Sequence, residues 1–188
     1  EPATCAYVVE VCARLACETP EERRKFGGGD AIGRGPMSLE LRQSFKERAK
    51  ALFERGYDAY VRYAEPEGEL RPRSCSGGVF DLVKLPLVTL VDSLDALAIM
   101  GNSTEFQSAT QRIWHGFPSK FDFDVNVSVF ETTIRVLGGL LSGHLLAVDA
   151  SLNLTTDYDG ELLALALDLG ERLAPAFDTP TSIPYGTV

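Results

Sequence analysis

Five blocks of apolar residues, spaced three or four apart, run from residue 41 to residue 173 and limit what this chain can fold into. Leu41, Phe45, Ala49, Leu52, Phe53, Tyr57, Tyr60 and Ala64 form the first block, with Arg42, Lys46, Glu47, Lys50, Glu54 and Asp58 on the other side. That pattern predicts a long amphipathic helix starting near Ser38 and stopping before Pro66 and Gly68. Leu87, Leu90, Val91, Leu94, Leu97 and Ala98 predict a second, more buried helix ended by Gly101-Asn102. Phe106, Ala109, Ile113 and Phe117 predict a third, stopped by Pro118. Phe130, Ile134, Leu137, Leu141 and Leu145 mark a fourth. Leu162, Leu165, Ala166, Leu169 and Leu173 mark a fifth, ended by Pro175. One segment breaks the period: residues 121–129 alternate apolar and polar, an extended run feeding directly into the fourth helix. A lone strand cannot make a sheet, so the expected class is all-α, helical hairpins joined by short extended connections.

Composition narrows the function classes. Apolar residues are 45% of the 188, enough to bury a core. No stretch of about 18 uncharged apolar residues occurs, which excludes a transmembrane helix. With 27 acidic and 18 basic residues the net charge is -9, which disfavours a nucleic-acid partner. Residues 1–36 differ from the rest. Gly27-Gly28-Gly29 and Gly33-Arg34-Gly35-Pro36 read as a flexible, unassigned stretch ahead of a domain at 37–188. A phosphate loop would need Lys followed by Ser or Thr after Gly33, and neither is present. There is no initiator Met and no secretory apolar region, since Glu10 and Arg14 interrupt residues 1–18; the expectation is a removed signal or a fragment. Cys5, Cys12, Cys17 and Cys75 form no Cys-x-x-Cys pair and lie far from His115 and His144, so zinc is poorly supported. Three N-glycosylation sequons, at Asn102, Asn126 and Asn153, favour the secretory pathway, where the cysteines can form disulfides in a pairing the sequence leaves open.

The chemistry concentrates on two segments. Ser128-Val129-Phe130-Glu131 is a capping box at the start of the fourth helix, and Glu131 is four residues before Arg135. Either pattern accounts for Glu131 structurally. The functional alternative is a catalytic carboxylate sharing a face with Arg135 and Ser142. Gly138 and Gly139 follow on the next turn, each costing about 1 kcal/mol relative to Ala inside a helix, which suggests that a backbone or ligand approaches closely. Asp92 and Asp95 lie one turn apart on a mostly apolar helix, so partial burial and a polar partner are expected, either as a structural network or as a ligand site. Asp122 and Asp124 lack calcium-loop spacing. His144 and Trp114 are expected to pack in the core.

The strings themselves resemble a known family. Val88-Thr89-Leu90-Val91-Asp92-Ser93-Leu94-Asp95-Ala96-Leu97 is similar to a signature of glycoside hydrolase family 47, the class I α-1,2-mannosidases. The segment from Val127 through Phe130-Glu131-Thr132-Thr133-Ile134-Arg135 to Ser142 resembles that family's best-known block. Residues 173–180 with Ile183-Pro184-Tyr185 resemble a third. Leu70-Arg71-Pro72-Arg73-Ser74-Cys75 is most like the branch acting in endoplasmic-reticulum degradation, the EDEM proteins. The resemblance covers residues 39–188. It implies the N-terminal portion of an (α/α)7 barrel, bound calcium, and inverting removal of terminal α-1,2-linked mannose from high-mannose N-glycans in the endoplasmic reticulum lumen. Implied partners are glycoproteins bearing those glycans and other quality-control proteins. It assigns Glu131 as one catalytic acid, Arg135 as a sugar-site residue, and Asp92 and Asp95 to shaping the site. The general base, second acid and calcium-binding Thr lie further on in the family, so the isolated chain is expected to be inactive and to hold no calcium ligand.

Inverting glycosidases need an acid and a base about 6.5–9.5 Å apart with a water between them. An acid keeps its proton near neutral pH only through burial or neighbouring negative charge, whereas a helix N-terminus and Arg135 favour the charged form. Two readings outside hydrolysis remain: a non-catalytic module that binds mannose-bearing glycans on misfolded glycoproteins, and a helical scaffold with no sugar site. Apolar helix faces left uncovered would make the isolated chain prone to associate.

Overall fold

The structure, a computed structural model, describes residues 38–188; the expectation for residues 1–36 lies outside them. Helix α1 spans Leu39–Tyr63. Ser38 caps it, its hydroxyl accepting the Leu41 N–H at 3.2 Å. The apolar face anticipated along the whole helix is buried only near its end, at Tyr57, Ala59 and Tyr60, while Phe45 and Leu52 stay exposed. A two-stranded antiparallel ribbon follows, β1 (Glu69–Arg71) against β2 (Ser76–Gly78), with Leu70 opposite Gly77. No pattern in the sequence marks it, because three-residue strands carry no readable alternation.

The helix expected from Leu87 to Ala98 is two pieces, α2 (Val88–Asp92) and α3 (Leu94–Ile99). The break is at Ser93, whose hydroxyl donates to the Thr89 carbonyl at 2.6 Å. A serine bonding back to the preceding turn competes with the helical ladder and bends it. The stop at Gly101 is as expected: its φ is +78°, and Asn102 N–H closes back on the Leu97 carbonyl at 2.9 Å. Helix α4 (Ser103–Gly116) buries Phe106, Ala109, Thr110 and Ile113.

Residues 122–127 carry no regular structure and join no multi-stranded sheet. Val127 exchanges two backbone hydrogen bonds with Val188, at 2.8 and 3.1 Å, and Ser128 makes an isolated bridge to Thr187. The chain then turns helical as α5 (Val129–Glu131), a π-helical segment (Thr132–Leu137) and α6 (Gly138–Val148). Helix α7 (Glu161–Leu173) and a 3-10 turn (Ala174–Phe177) complete the order. All five apolar residues anticipated for α7 are buried.

The fourth stripe is the main correction. Phe130 and Leu145 are each 66% exposed, and Ile134 and Leu141 are also exposed. The inward side is Val129, Thr132, Val136, Leu140 and Gly143. Residues 129–148 are apolar on nearly every side, so periodicity alone cannot choose the inward stripe. A helix apolar all round is one that larger structures bury completely. The core sits between α2, α3, α4, α6 and α7, with Leu90, Leu94, Leu97, Phe106, Leu140 and Leu165 fully buried. Trp114, expected in the core, is 37% exposed. His144 is half-buried, with Nδ1 2.8 Å from the Tyr158 hydroxyl.

Candidate active site

Glu131 ends α5 one residue before the π-helical segment. π-turns are rare and recur at functional positions. The capping box forms in only one direction. Ser128 Oγ accepts the Glu131 N–H at 3.3 Å, but the Ser128 N–H donates to the Leu82 carbonyl at 2.8 Å. The donor that a reciprocal box would offer Glu131 is therefore already taken. The carboxylate turns to Arg135, whose Nε donates to Oε2 at 2.7 Å. Of the two structural alternatives, the i,i+4 pair is made and the reciprocal cap is not.

Arg135 joins the Asp92 segment to the Glu131 segment. Its Nη1 donates to Asp92 Oδ2 at 3.2 Å, and its guanidinium lies 5.1 Å from the centre of the Phe80 ring. The hydrogen bond to Glu131 raises the pKa of Arg135, burial opposes this, and Asp92 adds to the rise. The Asp92 carboxyl is pushed above its ordinary value: desolvation dominates, Arg135 opposes it, and the charges of Asp95 and Glu131 push the same way as burial. Partial burial was expected for both acids. Asp92 and Asp95 are exposed as whole residues, yet enough protein surrounds the Asp92 carboxyl for desolvation to act. Glu131 is the most enclosed member of the ion-paired trio, its side chain 18% exposed. Glu131 Oε1 and Arg135 Nη2 carry no hydrogen bond among the described residues. An acceptor and a donor on adjacent groups can take the hydroxyls of a polyol.

The glycines behind the site divide. A Cβ on Gly139 would meet Val91 Cγ1 at 2.8 Å and the Val91 carbonyl oxygen at 3.0 Å, so the close approach of α2 needs Gly there. A Cβ on Gly138 would meet only the Thr133 carbonyl oxygen of the same helix, at 3.4 Å. The closeness of α2 to Gly139 is what puts Asp92 beside Arg135. Ser142 is half-buried and its hydroxyl approaches the Gly139 carbonyl at 3.5 Å, so it takes no part in the cluster.

Two features went unread in the sequence. Phe80 lies in a loop with no pattern to mark it. Thr132 is fully buried and its hydroxyl has no partner. It lines a cavity of about 160 Å³ with Leu85, Phe121, Val127, Leu169 and Leu173. Among the described residues, no group of three His, Cys, Asp or Glu side chains is placed to hold a metal ion. These residues therefore offer no carboxylate cluster for a calcium ion.

Residues 52–188 match glycosyl hydrolase family 47. The chain is 46% identical over 150 residues to ER degradation-enhancing alpha-mannosidase-like protein 2 of Mus musculus, covering 77% of this chain and 25% of that protein. It is 45% identical over 147 residues to Alpha-mannosidase I MNS4 of Arabidopsis thaliana, covering 78% and 23%. The solved structure of alpha-1,2-mannosidase from Trichoderma reesei superposes with a TM-score of 0.62 at 30% identity, covering 78% of this chain and 30% of that one. The chain spans about a quarter of the length of the curated relatives it matches. Its helical architecture is that of the N-terminal portion of an (α/α)7 barrel. The chain belongs to glycosyl hydrolase family 47, on its ER degradation-enhancing α-mannosidase-like branch.

Proposed function

We propose that residues 37–188 contribute part of an inverting α-mannosidase site that removes terminal α-1,2-linked mannose from high-mannose N-glycans on glycoproteins in the endoplasmic reticulum lumen. The observation that carries this reading is the diversion of Glu131. Its capping donor is taken by Leu82, and its carboxylate is gathered with Arg135 and Asp92 onto one face. Glu131 is the acid at the scissile bond, acting directly or through one water. Arg135 fixes the Glu131 rotamer and presents a donor to sugar hydroxyls. Asp92, with Asp95 behind it, holds Arg135 from the other side. The Cys75 disulfide suits an oxidising lumen. Calcium, which the family implies, would draw its ligands from outside the described residues.

The test is Glu131→Gln in a chain that completes the barrel. Gln keeps the side-chain length and can still accept from Arg135. Mannose release from a high-mannose glycan is expected to fall about 10²–10⁴-fold, with the melting temperature unchanged. Near-normal release would remove Glu131 from the chemistry. A second reading, glycan binding without hydrolysis, is favoured by the Arg135 hydrogen bond to Oε2, which occupies one of the two carboxylate oxygens in the structure. Retained glycan binding with no mannose release by the unsubstituted completed barrel would establish it.

A further inference from the structure

We infer that Asn126 is a site of N-linked glycosylation, an inference resting on the lumenal part of the proposed function. Two of the three sequon asparagines have a task in the fold. Asn102 caps α4, its Oδ1 accepting the Glu105 N–H at 3.2 Å. Asn153 stands at φ +48° in the loop between α6 and α7, a conformation in which Asn is one of the few favoured residues besides Gly. Either position selects Asn without reference to sugar.

Asn126 has no such task. It is exposed, makes no hydrogen bond among the described residues, and does not have a positive φ. Its neighbours, by contrast, are fixed. Val127 is buried and hydrogen-bonded twice to Val188, and Ser128 caps α5. The fold therefore accounts for positions 127 and 128 and leaves 126 open to any polar residue. What Asn adds there is an acceptor nitrogen with a hydroxyl two residues on, the pattern read by N-glycosylation. In the folded chain the Ser128 hydroxyl is engaged by the Glu131 N–H, so transfer precedes the formation of α5. The Asn126 amide nitrogen displaces the diphosphate from the anomeric carbon of a lipid-diphosphate-linked oligosaccharide. An N–C bond forms, the C–O bond to the diphosphate breaks, the lipid diphosphate leaves with the electron pair, and the amide proton passes to a base. Once α5 has formed, Asn126 stays at the surface, and its glycan extends into solvent without disturbing the buried Val127.

The test is translation of the full 188-residue chain, behind a cleavable secretory signal, into glycosylation-competent microsomes. Peptide mapping before and after enzymatic glycan removal reads each Asn separately. The expected result is a glycan on the Asn126 peptide, converted to Asp on release. It should be lost in Asn126→Gln and in Ser128→Asp, which keeps a helix cap but destroys the sequon, and kept in Ser128→Thr. An unmodified Asn126 peptide, while a control sequon protein in the same microsomes is glycosylated, would overturn the inference. So would persistence of the glycan in Ser128→Asp. None of these readouts needs mannose release, so the failure of this inference and the failure of the hydrolase reading are separable.

Discussion

Arg112 and Arg135 each hold two carboxylates, and they do different work. Arg112 spends every nitrogen. Nε donates to Glu65 at 2.9 Å, Nη1 to Ser108 at 2.6 Å, and Nη2 to both Glu105 at 2.7 Å and Tyr57 at 3.0 Å. Tyr57 in turn donates to Glu105 at 2.6 Å. The result is a clasp tying the end of α1 to α4, with only Glu65 Oε2 buried and unmatched. Arg135 spends two nitrogens, on Glu131 and Asp92, and leaves Nη2, Glu131 Oε1 and the charge of Asp95 without a partner among the described residues. The saturated cluster is a structural joint. The unsaturated one, next to a π-turn, has capacity left for a ligand. Counting charges would have ranked the two alike; counting which donors and acceptors are used separates them.

The largest contrast is between activity and stability. Glu131→Gln should cost turnover and leave stability nearly unchanged, whereas Arg112→Ala should cost stability. Removing Arg112 strands Glu65 and Glu105, which are half-enclosed rather than fully buried. Breaking a fully buried pair costs about 3–5 kcal/mol; exposure of these side chains lowers the expectation to about 1–3 kcal/mol. The shift in urea midpoint between Arg112→Ala and the parent reads it. A midpoint unchanged in Arg112→Ala, or lowered as much in Glu131→Gln, would erase the distinction between the two clusters.

Parts of this were legible in the residues and parts were not. Glu131, Arg135 and Asp92 were identifiable as a group because their strings match family blocks, and the structure brings all three together. The helices at Ser38, Gly101 and Pro175 were legible because cap and stop residues act locally. The inward face of residues 129–148 was not. Phe130 and Ile134 obey the same period as Val129, Thr132 and Val136, and only the packing of α2 and α7 selects between them. The Ser93 break was illegible because a Ser side chain bonds back to the helix only in some settings. The direction of the Glu131 carboxylate depended on Leu82, 49 residues away, taking the Ser128 donor, a competition no local pattern encodes.

The paired glycines sharpen the comparison from the side of packing. Gly139→Ala gains about 1 kcal/mol of helix propensity but pushes a methyl into the Val91 backbone and side chain, an overpacking cost of about 1–3 kcal/mol. The net is destabilisation, with α2 and Asp92 displaced from Arg135. Gly138→Ala meets nothing closer than 3.4 Å and should be neutral or mildly stabilising. Melting temperatures of the two variants, with mannose release in the completed barrel, check the pair. Equal stability in both would mean that the approach of α2 is not what holds Asp92 in place.

The smallest effect belongs to a third arginine, and its size is set by pH. Arg172 donates to Asp168 at 3.0 Å and Asp122 at 3.3 Å on an open surface. Desolvation pushes the Asp168 carboxyl up, but the Phe121 N–H at 3.0 Å and the Arg172 guanidinium outweigh it and hold it below the usual range. A carboxyl lowered in the folded state adds stability that is present above its unfolded pKa, about 3.9, and is lost as pH falls through the folded value. Asp168→Asn should therefore destabilise at neutral pH by less than about 1 kcal/mol, since the Arg172 partner is exposed to solvent. As pH falls through that folded value the parent carboxyl becomes protonated and the difference should shrink toward zero. Urea midpoints of parent and variant across that range measure it. A gap that widened on acidification would mean that Asp168 is stabilised in its neutral form, and that Arg172 and Phe121 do not govern it.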